Sequence, residues 1–343
     1  MDLTRIQLTA SEITGLWTQY MFDSMSICFI KYALEHIEDK EIIEIYSFSL
    51  ELAERHVQRG KEFFKGENYP IPKGFTEKDV HTKAPRLFQD PFYLYYMYIM
   101  SLQGLTGYAL SLGNSIRADL RKYHMDCNTE TMILFEKTID TMLSKGIYTR
   151  PPVISPPEQI DFVKQQSFLT GWFGTRRPLT GMEIGDITFN LYKMHQHVAL
   201  KVGFSQVAES KKVRQYIKRG MEIANKHIST FERVLREEKL NYPISWQSQV
   251  TNSTISPFSD KWIMYQILLS TQVTIAFYGS ALSVTARRDL AEKYIGLTSE
   301  LIRYAEDGMN LMIDNGWLEE PPKASDRRAL TQGKKEGMGE EGK

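Results

Sequence analysis

Cysteine is scarce in this chain. There are two, Cys28 and Cys127, and neither lies in a CxxC pair, which argues against a disulfide framework or a thiolate zinc site. Both sit in or beside helical patterns and read as small apolar filler rather than redox centres. Net charge is missing too. The 42 Lys+Arg balance 42 Asp+Glu, so no overall field favours nucleic acid, an anionic membrane or an acidic substrate. The N-terminal MDLTRIQLTASEI has no uninterrupted apolar core of the signal-peptide kind, and no run of about 20 apolar residues marks a membrane span. The cytoplasm is the expected location. Walker-type glycine loops, a G-x-S-x-G elbow and a dinucleotide fingerprint are all absent, which leaves phosphate-handling and hydrolase readings without support.

What the chain does contain is itself, twice. ELAERHVQRGKEFFKGENYPIP from Glu51 returns as EIANKHISTFERVLREEKLNYPIS from Glu222, and aligning His56 with His227 gives an offset of 171 positions. Other landmarks keep nearly the same step: LTASEI at Leu8 with LTGMEI at Leu179, IRADL at Ile116 with ARRDL at Ala286, and FEKTIDTMLSKGIYTRPP at Phe135 with AEDGMNLMIDNGWLEEPP at Ala305. This period far exceeds that of solenoid units, so each copy has to bury a core of its own. The 343 residues divide into a first bundle over 1–152, an ordered connector over 153–178, a second bundle over 179–323 and a disordered tail over 324–343. The connector is expected to pack, because it carries Trp172 and Phe173 between glycines.

The spacing of apolar residues predicts four helices per copy. In the first copy they run from about Thr9 to His36, Lys40 to Gly66, Asp90 to Tyr123, and on to Gly146, where Pro151 and Pro152 follow. In the second they fall near 180–208, 211–239, 260–293 and 296–315. The long segment from Glu67 to Gln89 spans the full length of such helices with ease, which favours a crossover between the second and third helices over a simple up-and-down meander. The fold class is all-α: two tandem ferritin-like four-helix bundles from an internal duplication.

LTASEITGLWTQYMFDSMSIC, APRLFQDPF, KQQSFLTGWFGTRRPL and YAEDGMNLMIDNGWLEEPP together resemble a family from spore-forming Gram-positive bacteria, a duplicated ferritin-like domain of unknown function. The likeness reaches to about Ala329, and the GWFG connector is its most specific part. It implies two ferritin-like bundles and an association with the spore. It carries no established activity.

A ferritin-like di-metal centre takes a Glu from each of two helices and a Glu-x-x-His pair from each of the others. This chain departs from that pattern, since the third helix has no carboxylate between Asp90 and Asp119, nor its second copy between Asp260 and Asp289. Three ligand-capable positions still recur, and they are the metal-site candidates, with iron or manganese as the ion: Glu12 with Glu183, His56 with His227, and Glu136 with Glu306. Each has an alternative reading. Glu12 and Glu183 stand three residues after a Thr, the spacing of a capping box. Glu136 and Glu306 lie on apolar stripes, level with Arg117 and Arg287 if the last turn centres near Met125–Cys127, where a buried Arg–Glu pair would serve. His56 shares its level with Asp23 and Tyr108, and the matching zone of the second copy holds His195, His197 and Tyr278. A hydrogen-bonded core histidine fits there as well as a ligand does.

Three functions stay open: a non-catalytic structural or interaction protein, a metal-binding ferritin-like protein or oxidoreductase using His and Glu ligands, and a binder of an apolar small molecule near Tyr95 and Tyr96. Whether the chain is an enzyme is left undecided. Nucleic acid is excluded as a partner. Another copy of the chain, or a different protein, is not.

Overall fold

The computed structural model describes residues 6–172 and 176–331, which contain eight long helices. The first half supplies α1 (Ala10–Leu34), α2 (Lys40–Gly66), α3 (Asp90–Gly113) and α4 (Ala118–Ser144). The second supplies α5 (Gly181–Val207), α6 (Lys211–Glu237), α7 (Asp260–Val284) and α8 (Arg288–Asp314). Thr9 and Thr180 form the two expected capping boxes with Glu12 and Glu183. After α4, Gly146 takes φ 65° and lets the Ile147 N–H return to the Met142 carbonyl at 2.9 Å, closing the helix as only a residue tolerant of that conformation can.

One boundary differs from the sequence reading. The third helix ends at Gly113 rather than near Tyr123, and the turn to α4 is Asn114–Arg117, not Met125–Cys127. The second half repeats this, with α7 ending at Val284. Arg117 is consequently the N-cap of α4, and Glu136 lies 19 residues further on, about 28 Å along the helix. The anticipated Arg117–Glu136 and Arg287–Glu306 pairs do not form. Arg117 bonds Glu67 and Asp119 instead, and Arg287 bonds Glu238 and Asp289.

Hydrogen bonds at the bundle ends fix the connectivity. At one end the Glu12 carboxylate, in the first turn of α1, accepts the N–H groups of Ile116 and Arg117 between α3 and α4, and Arg117 reaches Glu67 at the close of α2. At the other end Asp90, opening α3, accepts the N–H groups of Glu38 and Asp39 between α1 and α2. So α2 and α3 run parallel, and residues 67–89 carry the chain back along the bundle, as their length led us to expect. Glu183, Arg287, Glu238 and Asp260 repeat the arrangement in the second half.

The halves share their largest core. Met25, Phe29 and Tyr93 of the first pack in one cluster with Phe204, Phe258 and Trp262 of the second, while a smaller private core lies at the far end of each bundle. Trp262 donates its indole N–H to the Met25 carbonyl at 3.0 Å, and Tyr95 its hydroxyl to the Tyr192 carbonyl at 2.8 Å. The two crossover segments also meet, bridging Val80 to Phe258 and Phe88 to Val250 in antiparallel fashion. By length and composition α7 alone among the described residues could span a membrane, with mean hydropathy 1.5 over its most apolar window. Its apolar residues Trp262, Ile263, Met264 and Ile267 are buried in the shared core.

The connector packs less than its aromatic content suggests. Val153, Ile160 and Phe162 are exposed, whereas Ile154 lies against Gly181 at the start of α5 and the far end docks: Gln166–Leu169 forms a helical turn, Arg177 covers the Phe168 ring, and Trp172 donates to Glu292 at 2.7 Å. Gly171 lies against Asp289 so closely that a Cβ there would clash with the backbone of α8. Phe173 and Gly174 lie outside the described residues, as does 332–343 of the tail; residues 327–331 form a helical turn.

Candidate functional site

In the middle of the first bundle His56 of α2 is held by three other helices. Its Nδ1 lies 3.1 Å from the Tyr108 hydroxyl of α3 and 3.5 Å from Asp23 Oδ2 of α1, and its Nε2 lies 3.2 Å from Glu130 Oε2 of α4. Tyr108 donates its hydroxyl to Asp23 Oδ1 at 3.2 Å, so it accepts from the imidazole. Both ring nitrogens then act as donors, which requires an imidazolium. Burial opposes that charge, but the Asp23 carboxylate and the Cys127 sulfur outweigh it and raise the His56 pKa to about 11.

The second bundle repeats the frame with one exchange. His227 Nε2 lies 2.9 Å from Glu300 Oε2, and its Nδ1 3.2 Å from the Tyr278 hydroxyl. The position of Asp23 is taken by Met194, whose sulfur is 2.9 Å from the Tyr278 hydroxyl. Without that carboxylate burial prevails over Glu300, and the His227 pKa is lowered. The ring is neutral, its one proton directed to Glu300. One duplicated site thus exists in two charge states.

Among the residues singled out from sequence, Glu12 and Glu183 are buried caps at the bundle ends. Glu12 accepts from the Thr9 N–H and hydroxyl and from the Ile116 and Arg117 N–H groups, which lower its pKa despite burial. Burial likewise opposes ionisation of Glu183, but Arg177, Thr180 and Arg287 bring it down to about 2. Eleven residues of α1 separate Glu12 from Asp23, about 16 Å, so Glu12 does not join His56. Glu136 and Glu306 are exposed. Glu130, six residues before Glu136 and about 120° round the helix, is the α4 carboxylate that meets the histidine. His195 stands 3.4 Å from Glu232 rather than at His227. Glu130 and Glu300 were missed because the misplaced turn put them at a bundle end; their recurrence at the same step as Glu136 and Glu306 was the available signal.

The arrangement suits charge pairing better than metal binding. Asp23 and Glu130 approach opposite nitrogens of one imidazole, so a single ion bound to either nitrogen could not take both carboxylates. Among the described residues no group of three or more His, Cys, Asp and Glu side chains is placed to hold a metal ion. Beside His56 is a cavity of about 50 Å³, lined in part by Asp23, Ser26, Ser101, Tyr108 and Thr131. Tyr95 and Tyr96 are packed, against Trp246 at 4.4 Å and Phe29 at 3.9 Å.

No curated protein matches the chain. Among solved structures, one described as a candidate spore coat protein from Bacillus halodurans C-125 is similar at 16% identity and a TM-score of 0.40, over 44% of this chain and 98% of that one. A family model described as "Protein of unknown function (DUF3231)" matches residues 1–160 and again 167–330, and the chain belongs to that family as a tandem pair of its repeats.

Proposed function

We propose that this chain is a non-catalytic structural protein that works by associating with further copies of itself through α4 and α8. The observation that carries the reading is a solvent-facing apolar stripe at equivalent places in both halves. On α4 Met125, Met132 and Leu143 are 55%, 49% and 44% exposed; on α8 Ile295, Ile302 and Ile313 are 55%, 52% and 59% exposed. Each set advances by 7 and then 11 residues, the spacing of a seam that packs against another helix. An apolar row left open to solvent at the same place on both halves is the kind of surface that marks an interaction site. Glu136 and Glu306 occupy the same exposed place on the two stripes, so what the two surfaces offer each other is matched apolarity rather than opposite charge.

Each bundle has a long crossover between its second and third helices, but among the described residues neither gathers the donor set of a ferritin-like metal centre, and the recurrent Glu12, Glu183, His56 and His227 already have protein partners. Iron or manganese chemistry therefore has less support than a structural role. A cavity of about 50 Å³ is also far smaller than the roughly 300–1,000 Å³ of small-molecule pockets.

Sedimentation of the full chain tests the proposal. The wild type should associate in a concentration-dependent way, and the double variant Leu143→Glu, Ile313→Glu should sediment as a monomer with unchanged helicity. A wild type that stays monomeric throughout, or a double variant that associates equally well, would refute it.

A further inference from the structure

The face of α5 that meets α7 carries three bases four residues apart, Lys193, His197 and Lys201, where the same face of α1 has Phe22, Ser26 and Ile30. All three are buried, Lys193 to 1% exposure and His197 to 4%. Lys193 Nζ and His197 Nε2 are enclosed and have no hydrogen-bond partner in the protein. Lys193 Nζ stands 3.3 Å from the centre of the Phe277 ring. The Thr274 hydroxyl donates to the Ser270 carbonyl, so His197, 3.5 Å away through Nδ1, keeps its proton on that nitrogen and turns a bare lone pair inward at Nε2. Lys201 lies against Gly220 of α6 and near Thr271 and Thr274. Beyond Lys261, α7 supplies no charged side chain to this seam. The neighbouring titratable groups are the half-buried Asp186 on α5 itself and His227 of α6, which is bonded to Glu300 of α8.

A proton added to Lys193 Nζ or His197 Nε2 would create a buried charge with no acceptor beside it, a state that proteins avoid by staying neutral or by opening to water. Burial lowers the Lys193 pKa to about 6 against a weak pull from Asp186, and that of Lys201 to about 8. Burial, with Lys201 and Lys193 adding to it, lowers that of His197. The sign follows: a base whose pKa is lowered in the closed seam favours the open one as pH falls from its ordinary pKa to the lowered value. We propose that the α5–α7 seam is an acid-released joint: on mild acidification Lys193 and His197 take up protons that only the parted seam can solvate, and α5 separates from α7 between Asp186 and Lys201 while α1 and α3 stay together. The parting uncovers Leu191, Met194 and Val198 of the private core beside a row of cations. The α1–α3 seam has no unpartnered base, and His124, buried in the same half, stands at the bundle end beside Ser115.

Hydrogen–deuterium exchange of the full chain at pH 7.5 and pH 5, corrected for the intrinsic pH dependence of exchange, tests the joint. The opening constant grows about tenfold per pH unit for each proton taken up, so the protection of residues 190–201 should fall at least about a hundredfold between the two conditions, and that of residues 19–30 at least about tenfold less. In Lys193→Met the fall should shrink by about tenfold, and in Lys193→Met, His197→Gln it should match that of residues 19–30. The single variant should fold, because it keeps the apolar stem and removes the unpartnered amine. Equal losses of protection in the two segments of the wild type, undiminished protection of residues 190–201 at pH 5, or a loss that persists in full in Lys193→Met would overturn the proposal.

Discussion

Replacing Asp23 by Met gives the first bundle the residue that the second already uses, and should convert His56 from an imidazolium to a neutral ring. The wild-type ring titrates at about 11, against 6.5 for a free histidine. At pH 7 the four pH units to that value convert, at about 1.4 kcal/mol each, to about 5 kcal/mol of stability. Breaking a buried ion pair costs about 3–5 kcal/mol by comparison with other proteins, so a loss of about 4 kcal/mol is expected. The sign follows from the raised pKa: the contribution is complete below pH 6.5 and disappears as pH rises towards 11. Urea unfolding of both proteins at several pH values should therefore give a difference that shrinks by about 1.4 kcal/mol per unit above pH 6.5. Nuclear magnetic resonance of the His56 ring should show a cation up to at least pH 9 in the wild type and a neutral imidazole at pH 7 in the variant. A stability difference independent of pH, or a wild-type His56 that titrates near 6.5, would refute the reasoning.

Lys193 is buried between Phe189 and Phe277, and burial lowers its pKa to about 6. Its contribution becomes less unfavourable as pH rises from 6 to 10.5; Lys193→Met should stabilise the protein at pH 7 by about 3 kcal/mol, discounted from the full shift because the site relaxes around the amine, and that gain should shrink as pH rises towards 10.5 and be gone above it in thermal melts. Glu12→Ala should cost about 3 kcal/mol in urea unfolding, because it strands the Ile116 and Arg117 N–H groups as well as the cap. Since the Glu12 pKa is lowered, its contribution holds above pH 4.5 and should be lost on acidification below that, a loss Glu12→Ala would not show. Elemental analysis of the purified chain should find no stoichiometric iron or manganese, and the same in His56→Ala, His227→Ala; metal that depends on those histidines would reverse the structural reading.

Much of the architecture was legible because local chemistry and global fold agree. The Thr-x-x-Glu starts, the length of the segment between α2 and α3, and Gly146 each have one dominant structural meaning. The level of His56 with Asp23 and Tyr108 followed from counting residues along helices. The α3–α4 turn was not legible. In LSLGNSIRADL the apolar period continues through the break, and in the second half the turn is Thr285-Ala286-Arg287, without Gly or Pro. That error of ten residues moved Glu130 out of the site and set Glu136 beside Arg117. The shared core could not be read either, since periodicity tells that one face of α3 or α7 is buried but not what covers it.

The mutual embrace of the halves reaches beyond stability. The Asn241 side chain holds the Arg150 carbonyl of the opposite repeat, and Glu319 holds the backbone of Lys73 and Gly74. Were two separate identical subunits joined in this way, any substitution would be felt twice, once on each side of the axis. Fusion into a single polypeptide lifts that restriction: Asp23 and Met194, or Ile30 and Lys201, become independent choices, and one interior is free to turn acidic while its twin turns basic.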